Sequence, residues 1–160
     1  MDYKIRPIMQ SEIYLLKDFA YEAIHQRDEQ NLIPRSEIEK PEIKVFYDDF
    51  GKADDNCLVA VIDSKIVGAV WTRIISGDIK GFGNIDAQTP EFAISLYKEY
   101  RGKGIGTGLM LAMLQLLKEK GYSKTSLAVQ KDNFAIKMYQ DLGFVIIDEN
   151  DKEYIMVREL

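Results

Sequence analysis

The sequence predicts an α/β domain organised around one mixed sheet of about seven strands. Three observations carry that expectation. Short β-branched runs recur along the chain, two of them are split by a two-residue turn, and a long amphipathic run with helical spacing lies between two others. A chain of 160 residues suits a single domain, residues 1–160. Such a domain buries about two-thirds of the surface that its unfolded chain would expose, so it needs no disulfide or metal to fold.

The elements follow in order. Tyr3 to Ile8 alternates like a strand. Ser11 precedes a helical pattern, with Glu12 close behind and Ile13, Leu16, Phe19, Ala20 and Ala23 on one face. Residues 26–56 hold Pro34, Pro41 and many acids; one short helix around Glu42–Asp49 is expected there, and loop elsewhere. Cys57–Ile62 and Lys65–Ile75 read as a hairpin turning at Asp63-Ser64. Ser76 to Pro90 is a long loop containing Gly77, Gly81 and Gly83, and loops of this length in small domains are often functional. Phe92–Leu96 is the fourth strand. Gly104–Lys120 is a helix, with Leu109, Met113, Leu116 and Leu117 at helical spacing and Gly121 as its stop. Thr125–Val129 is a strand, Phe134–Leu142 a short helix, and Phe144–Ile147 and Tyr154–Val157 are the last two strands.

Composition excludes several functions. No apolar run approaches the roughly 18 residues that span a membrane. The first residues lack the basic-then-apolar pattern of a secretion signal. Cys57 is the single cysteine, so no internal disulfide forms, and a cytoplasmic location is expected. The net charge of −5 argues against general nucleic-acid binding and is compatible with a cationic partner such as an amine; the competing reading is that it simply keeps the protein soluble. No His/Cys/Asp cluster has metal-ligand spacing, so no metal is expected.

The informative stretch is Tyr100-Arg101-Gly102-Lys103-Gly104-Ile105-Gly106-Thr107-Gly108, between a strand and the amphipathic helix. Glycines let the backbone bend and expose its amides at a helix N-terminus, which carries partial positive charge. A diphosphate is the natural guest, and Arg101 and Lys103 add charge beside it. The spacing fits neither G-x-x-x-x-G-K-[ST] nor G-x-G-x-x-G followed by an acid, because the next strand ends in Val129-Gln130. Four glycines, two cations and an open helix start favour an anion site over a turn that merely permits packing.

Arg101-x-x-Gly104-x-Gly106 resembles the Q/R-x-x-G-x-G/A pyrophosphate loop of the GNAT N-acetyltransferases. Downstream, Asp132-Asn133-Phe134-Ala135-Ile136-Lys137-Met138-Tyr139 followed by Leu142-Gly143-Phe144 is similar to that family's N-x-A…Y…G-F segment. The two motifs together span residues 91–147. The resemblance implies that the fourth and fifth strands are parallel and splay apart. It implies acetyl-CoA as co-substrate, with the pyrophosphate on the amides of Gly102, Lys103, Gly104, Ile105, Gly106 and Thr107, beside Arg101. Pantetheine would lie along Ile94, Ser95 and Leu96, with Asn133 beside it and a backbone N–H near Leu96 polarising the thioester carbonyl. Tyr139 would face the sulfur. A tyrosine hydroxyl can hydrogen-bond or protonate a departing thiolate. The competing readings are a helix N-cap for Asn133 and core packing for Tyr139.

An amine acceptor must lose a proton. The resemblance points to a glutamate at the start of the fourth strand, here Glu91; the competing reading is a solvated strand-end acid. His25 reads as a surface residue, Cys57 as a buried filler and Trp71 as core, with a place in the acceptor site open to it. The implied function is transfer of an acetyl group to a primary amine, on a small molecule or a peptide, by direct attack in a ternary complex. Another acyl-CoA, an acyl-carrier protein donor, or a non-catalytic CoA-binding module are the alternatives. A homodimer is among the assemblies that the resemblance allows. The first helices and the Ser76–Pro90 loop should build the acceptor site.

Overall fold

The computed structural model describes residues 2–160. The expected sheet is present, with seven strands in the order β1-β2-β3-β4-β5-β7-β6. They are β1 (Lys4–Pro7), β2 (Asn56–Ile62), β3 (Lys65–Arg73), β4 (Glu91–Leu96), β5 (Lys124–Gln130), β6 (Val145–Glu149) and β7 (Glu153–Glu159). The first four pair antiparallel in sequence order, and β5, β7 and β6 form a second antiparallel block. The β2–β3 turn has both central residues, Asp63 and Ser64, at positive φ (48° and 66°), the geometry whose twist suits a two-residue hairpin.

The blocks meet where β4 runs parallel to β5, and there the register holds a single pair, Glu91 with Ser126. That junction is fixed by side chains as well as backbone. The Ser126 amide and the Thr125 hydroxyl both donate to the Pro90 carbonyl, at 3.1 and 2.7 Å, and the Ser126 hydroxyl donates to the Gly83 carbonyl at 2.7 Å. Past it the strands separate, and a cleft opens through the sheet.

Helices cover both faces. On one face lie α3 (Ile105–Glu119) and α4 (Ala135–Asp141). Leu109, Met110, Met113 and Leu117 of α3 pack on Leu58, Val67, Val70, Phe92 and Leu127. The α3 helix stops at Gly121, whose amide reaches the Lys118 carbonyl while Tyr122 reaches that of Leu117. On the other face α1 (Leu16–Glu22) buries Leu16, Phe19 and Ala20 against Val59, Ala69 and Trp71.

Two expectations need correction at the level of local structure. The first helical stretch begins as a 3₁₀ turn, Gln10–Leu15, with Met9 as its cap rather than Ser11. Glu12 decides this. Its carboxylate accepts the Met9 amide at 2.8 Å and grips the Arg6 guanidinium with both oxygens, which together hold it down at about 2. In residues 26–56 the structure adds a 3₁₀ turn, Arg35–Glu39, and confines the α-helix to α2 (Pro41–Lys44). Proline at the first position of α2 needs no amide partner, so it starts the helix. Among the described residues no helix is long and apolar enough to cross a membrane.

Candidate active site

The cleft is a cavity of about 1130 Å³ that runs from the end of α1, between β4 and β5, to the start of α3 and α4. At one end the chain leaves β4 through a 3₁₀ turn, Lys98–Tyr100, and enters α3. Gly102 and Gly104 carry φ of 73° and 84°, a backbone that side chains with a Cβ rarely adopt. Gly104 is the N-cap of α3, no side chain caps it, and no acid stands in the first turn. The Gly108 amide is the first to bond back, to Gly104 at 3.2 Å. The amides of Ile105, Gly106 and Thr107 therefore lack helical acceptors. Gly102, Gly104, Gly106 and Thr107 all line the cavity. Ile105 is buried in the core and can offer only its amide; Lys103 is exposed and outside the lining.

Arg101 is already engaged. Its Nε donates to the Leu96 carbonyl at 3.0 Å, and its terminal nitrogen donates to the carbonyl and carboxylate of Glu22 at 3.2 and 3.1 Å. It thus ties the glycine loop to β4 and to the end of α1.

The alternation of β4 determines what each residue can present. The Tyr97 amide bonds to the Val67 carbonyl of β3 at 3.0 Å. Ser95 and Ala93, of the same parity, direct their backbone groups toward β3 as well. Ile94 and Leu96 turn theirs into the cleft, where β5 has moved away. Ser95 lines the cavity, but its hydroxyl donates to the Phe19 carbonyl at 2.7 Å, so it anchors α1. Side chains divide by face in the same way. Phe92, Ile94 and Leu96 pack on the α3–α4 side, while Ala93 packs on the α1–α2 side, which Glu91 shares by period two.

Glu91 is not solvated: only 3% of it is exposed. The Ser76–Pro90 loop folds over it. The Gly83 amide donates to Oε2 at 2.7 Å, and a Cβ on Gly81 would fall 1.9 Å from Oε1. A Cβ on Gly83 would lie 2.7 Å from the Ala128 nitrogen, so glycine is required for the loop to sit between Glu91 and β5. Among the described residues, Oε1 is the buried side-chain polar atom without a partner. Burial, helped by nearby Glu153 and opposed by the Gly83 amide, pushes the Glu91 carboxyl up to about 7.

The neighbour across the ladder explains why no cation offsets this. Arg73 is the register partner of Glu91 on β3. All five of its N–H donors are engaged elsewhere: with both Asp55 oxygens, each at 3.1 Å, and with the carbonyls of Val45, Asp48 and Asp49.

On the α3–α4 side, Tyr139 lies within α4, with its ring 6.0 Å from that of Phe144, and it lines the cavity. Burial pushes its hydroxyl up to about 12, so its proton is firmly held. Asn133 also lines the cavity; Phe134, not Asn133, takes the N-cap position of α4, but the Asn133 side-chain oxygen accepts the Ala135 amide at 2.9 Å, which leaves its NH₂ as a donor. His25 approaches Asp132 at 3.4 Å, Trp71 is buried, and the Cys57 thiol is buried and pushed upward. Among the described residues no three His, Cys, Asp or Glu side chains form a metal-sized group.

The model of the "Acetyltransferase (GNAT) family" matches residues 20–144. The chain belongs to the GNAT acetyltransferase family. It is similar to the mycothiol acetyltransferase of Corynebacterium aurimucosum, at 36% identity over 86 residues, covering 53% of this chain and 26% of that one. The chain spans only 26%, 33% and 39% of the length of three mycothiol acetyltransferases that it matches. An N-alpha-acetyltransferase of Saccharolobus solfataricus is 26% identical over 161 residues, covering 90% of this chain and 95% of that one. Among solved structures, the PaiA N-acetyltransferase of Thermoplasma acidophilum, in complex with coenzyme A, superposes with a TM-score of 0.70 over 100% of both chains at 23% identity, which shows the common fold.

Proposed function

We propose that this GNAT protein transfers an acetyl group from acetyl-CoA to a primary amine in a ternary complex. One observation supports this reading above the rest. A single cavity joins the uncapped start of α3 to Glu91, a buried carboxylate with an unpartnered oxygen. The amides of Ile105, Gly106 and Thr107 suit a diphosphate. The backbone groups of Ile94 and the N–H of Leu96 suit an extended pantetheine arm laid along β4 like an added strand, while the Leu96 carbonyl is held by Arg101. The Leu96 N–H would polarise the thioester oxygen.

The two candidate catalytic groups lie on opposite sides of the sheet. Glu91 is on the α1–α2 side and Tyr139 is on the α3–α4 side. The acceptor, an ammonium at neutral pH, loses a proton to the Glu91 carboxylate and attacks the carbonyl carbon. The C–N bond forms and the C–S bond breaks. The sulfur takes the electron pair, the Tyr139 hydroxyl donates a hydrogen bond to the thiolate, and solvent supplies the proton that completes the thiol; the second amine proton leaves to solvent. A carboxyl near 7 is matched to such a base.

The test is thermal unfolding with acetyl-CoA, beside NAD and ATP, followed by thiol release with amines. Acetyl-CoA at a hundred times its Kd should add about 2.7 kcal/mol of stability, whereas NAD should add none. A melting temperature indifferent to acetyl-CoA would remove the reading.

A further inference from the structure

The part of the cavity on the α1–α2 side has its own composition. Among the described residues, two of its carboxylates are free of cations, one at the strand junction and one further along β5. Glu91 is at the junction, and Glu153 pairs in register with Gln130 of β5, on the same face and half-buried. Beside Glu91 the wall is apolar. The Trp71 indole N–H donates to the Phe46 carbonyl at 2.9 Å, which fixes ring and segment to each other. Phe46 stacks on Phe82 with ring centroids 5.7 Å apart and planes 20° from parallel. Ile43 extends the wall. Phe82 is 48% exposed although Gly81 and Gly83 on either side of it are buried. A rigid backbone therefore holds a large apolar ring at the cavity rim, where water has access to it.

We propose that the acceptor is a primary amine carried one or two carbons from an aromatic ring, with its nitrogen at Glu91 and its ring against Phe46 and Phe82. This rests on the reading of the cavity as the acetyl-transfer site. An aromatic guest would remove the exposed Phe82 surface from water and extend the existing stack in offset geometry. A polycation would need further free acids along the wall. The two others that line the cavity, Glu22 and Glu29, are paired with Arg101 and Lys98 at 3.1 and 2.9 Å. The same chemistry is offered by a free arylalkylamine and by a peptide that begins with an aromatic residue.

Thiol release is measured with 2-phenylethylamine, tryptamine, a Phe-initiated tripeptide, an Ala-initiated tripeptide, spermidine and glucosamine. The aromatic amines should exceed spermidine and glucosamine by about 10-fold or more in kcat/KM. Phe82→Ala should raise KM for the best aromatic amine about 5-fold or more, with kcat and the acetyl-CoA KM unchanged. Preference for the Phe- over the Ala-tripeptide, equal to that for the free amines, identifies a peptide source; turnover of the free amines alone identifies a small molecule. Faster turnover of spermidine or glucosamine, or an aromatic KM unmoved by Phe82→Ala, overturns the proposal. Acetyl-CoA binding with transfer to no amine overturns the acetyl-transfer reading itself, and this one with it.

Discussion

Glu91 shows how much a single side chain depends on what its neighbours are doing. Arg73 stands opposite but is saturated, so the carboxyl is left with one amide and a raised pKa. The sign of its linkage is therefore unusual for a glutamate. Folded, it holds its proton to about 7; unfolded, it releases it near 4.5. Its contribution is fully present below pH 4.5 and is lost as pH rises through 7. Glu91→Gln should gain on the order of 3 kcal/mol over the native chain at pH 8.5, and nothing at pH 4, in denaturant titrations. The same substitution should lower the rate and abolish its rise with pH around 7. A variant whose rate keeps that inflection would show that another group is the base.

The position of Glu91 at a strand start was legible in the sequence, but its burial was not. Burial depends on Gly81 and Gly83 folding the loop back onto β5, contacts set by residues more than 40 positions apart that leave no local period. Asn133 shows the reverse case, since one short motif places it beside the start of α4 and on the cavity wall.

At the scale of elements, the start of α3 is where sequence and structure agree most closely. The glycine spacing predicts a bent, uncapped helix entry, and the backbone angles at Gly102 and Gly104 show one. Gly106 offers a clean test because the protein does not crowd it: a Cβ there would meet only Leu96 Cδ1, at 3.8 Å. Gly106→Leu should keep or raise folding stability, as leucine favours helix by up to about 1 kcal/mol over glycine. It should weaken acetyl-CoA binding about 100-fold or more by calorimetry, because the side chain would project into the space assigned to the diphosphate. Undiminished affinity would move the nucleotide elsewhere. The 3₁₀ turn Arg35–Glu39 carries no comparable signal. It is held by a distant contact, with Ile38 buried in the second core and its carbonyl accepting the Tyr47 hydroxyl at 2.9 Å.

At the scale of the whole molecule, Arg73 fastens the segment from Val45 to Asp55 to the middle of the sheet. That segment includes Phe46, and so sets the aromatic wall. Arg73→Met would leave Asp55, whose side chain is 4% exposed, buried without its partner. A loss of about 3–5 kcal/mol is expected by denaturant unfolding. A loss below about 1 kcal/mol would mean that the pair is dispensable to the fold.

The meeting of β4 and β5 at one residue pair also makes β4 a strand with two lives. Its odd-numbered amides, such as those of Ala93 and Ser95, are locked into β3, while those of Ile94 and Leu96 have lost the partner that a continuous sheet would give them. Deuterium uptake should therefore alternate residue by residue along one short strand: slow, fast, slow, fast. A ligand lying in the gap would erase the alternation, so β4 carries its own isotopic record of whether the cleft is filled.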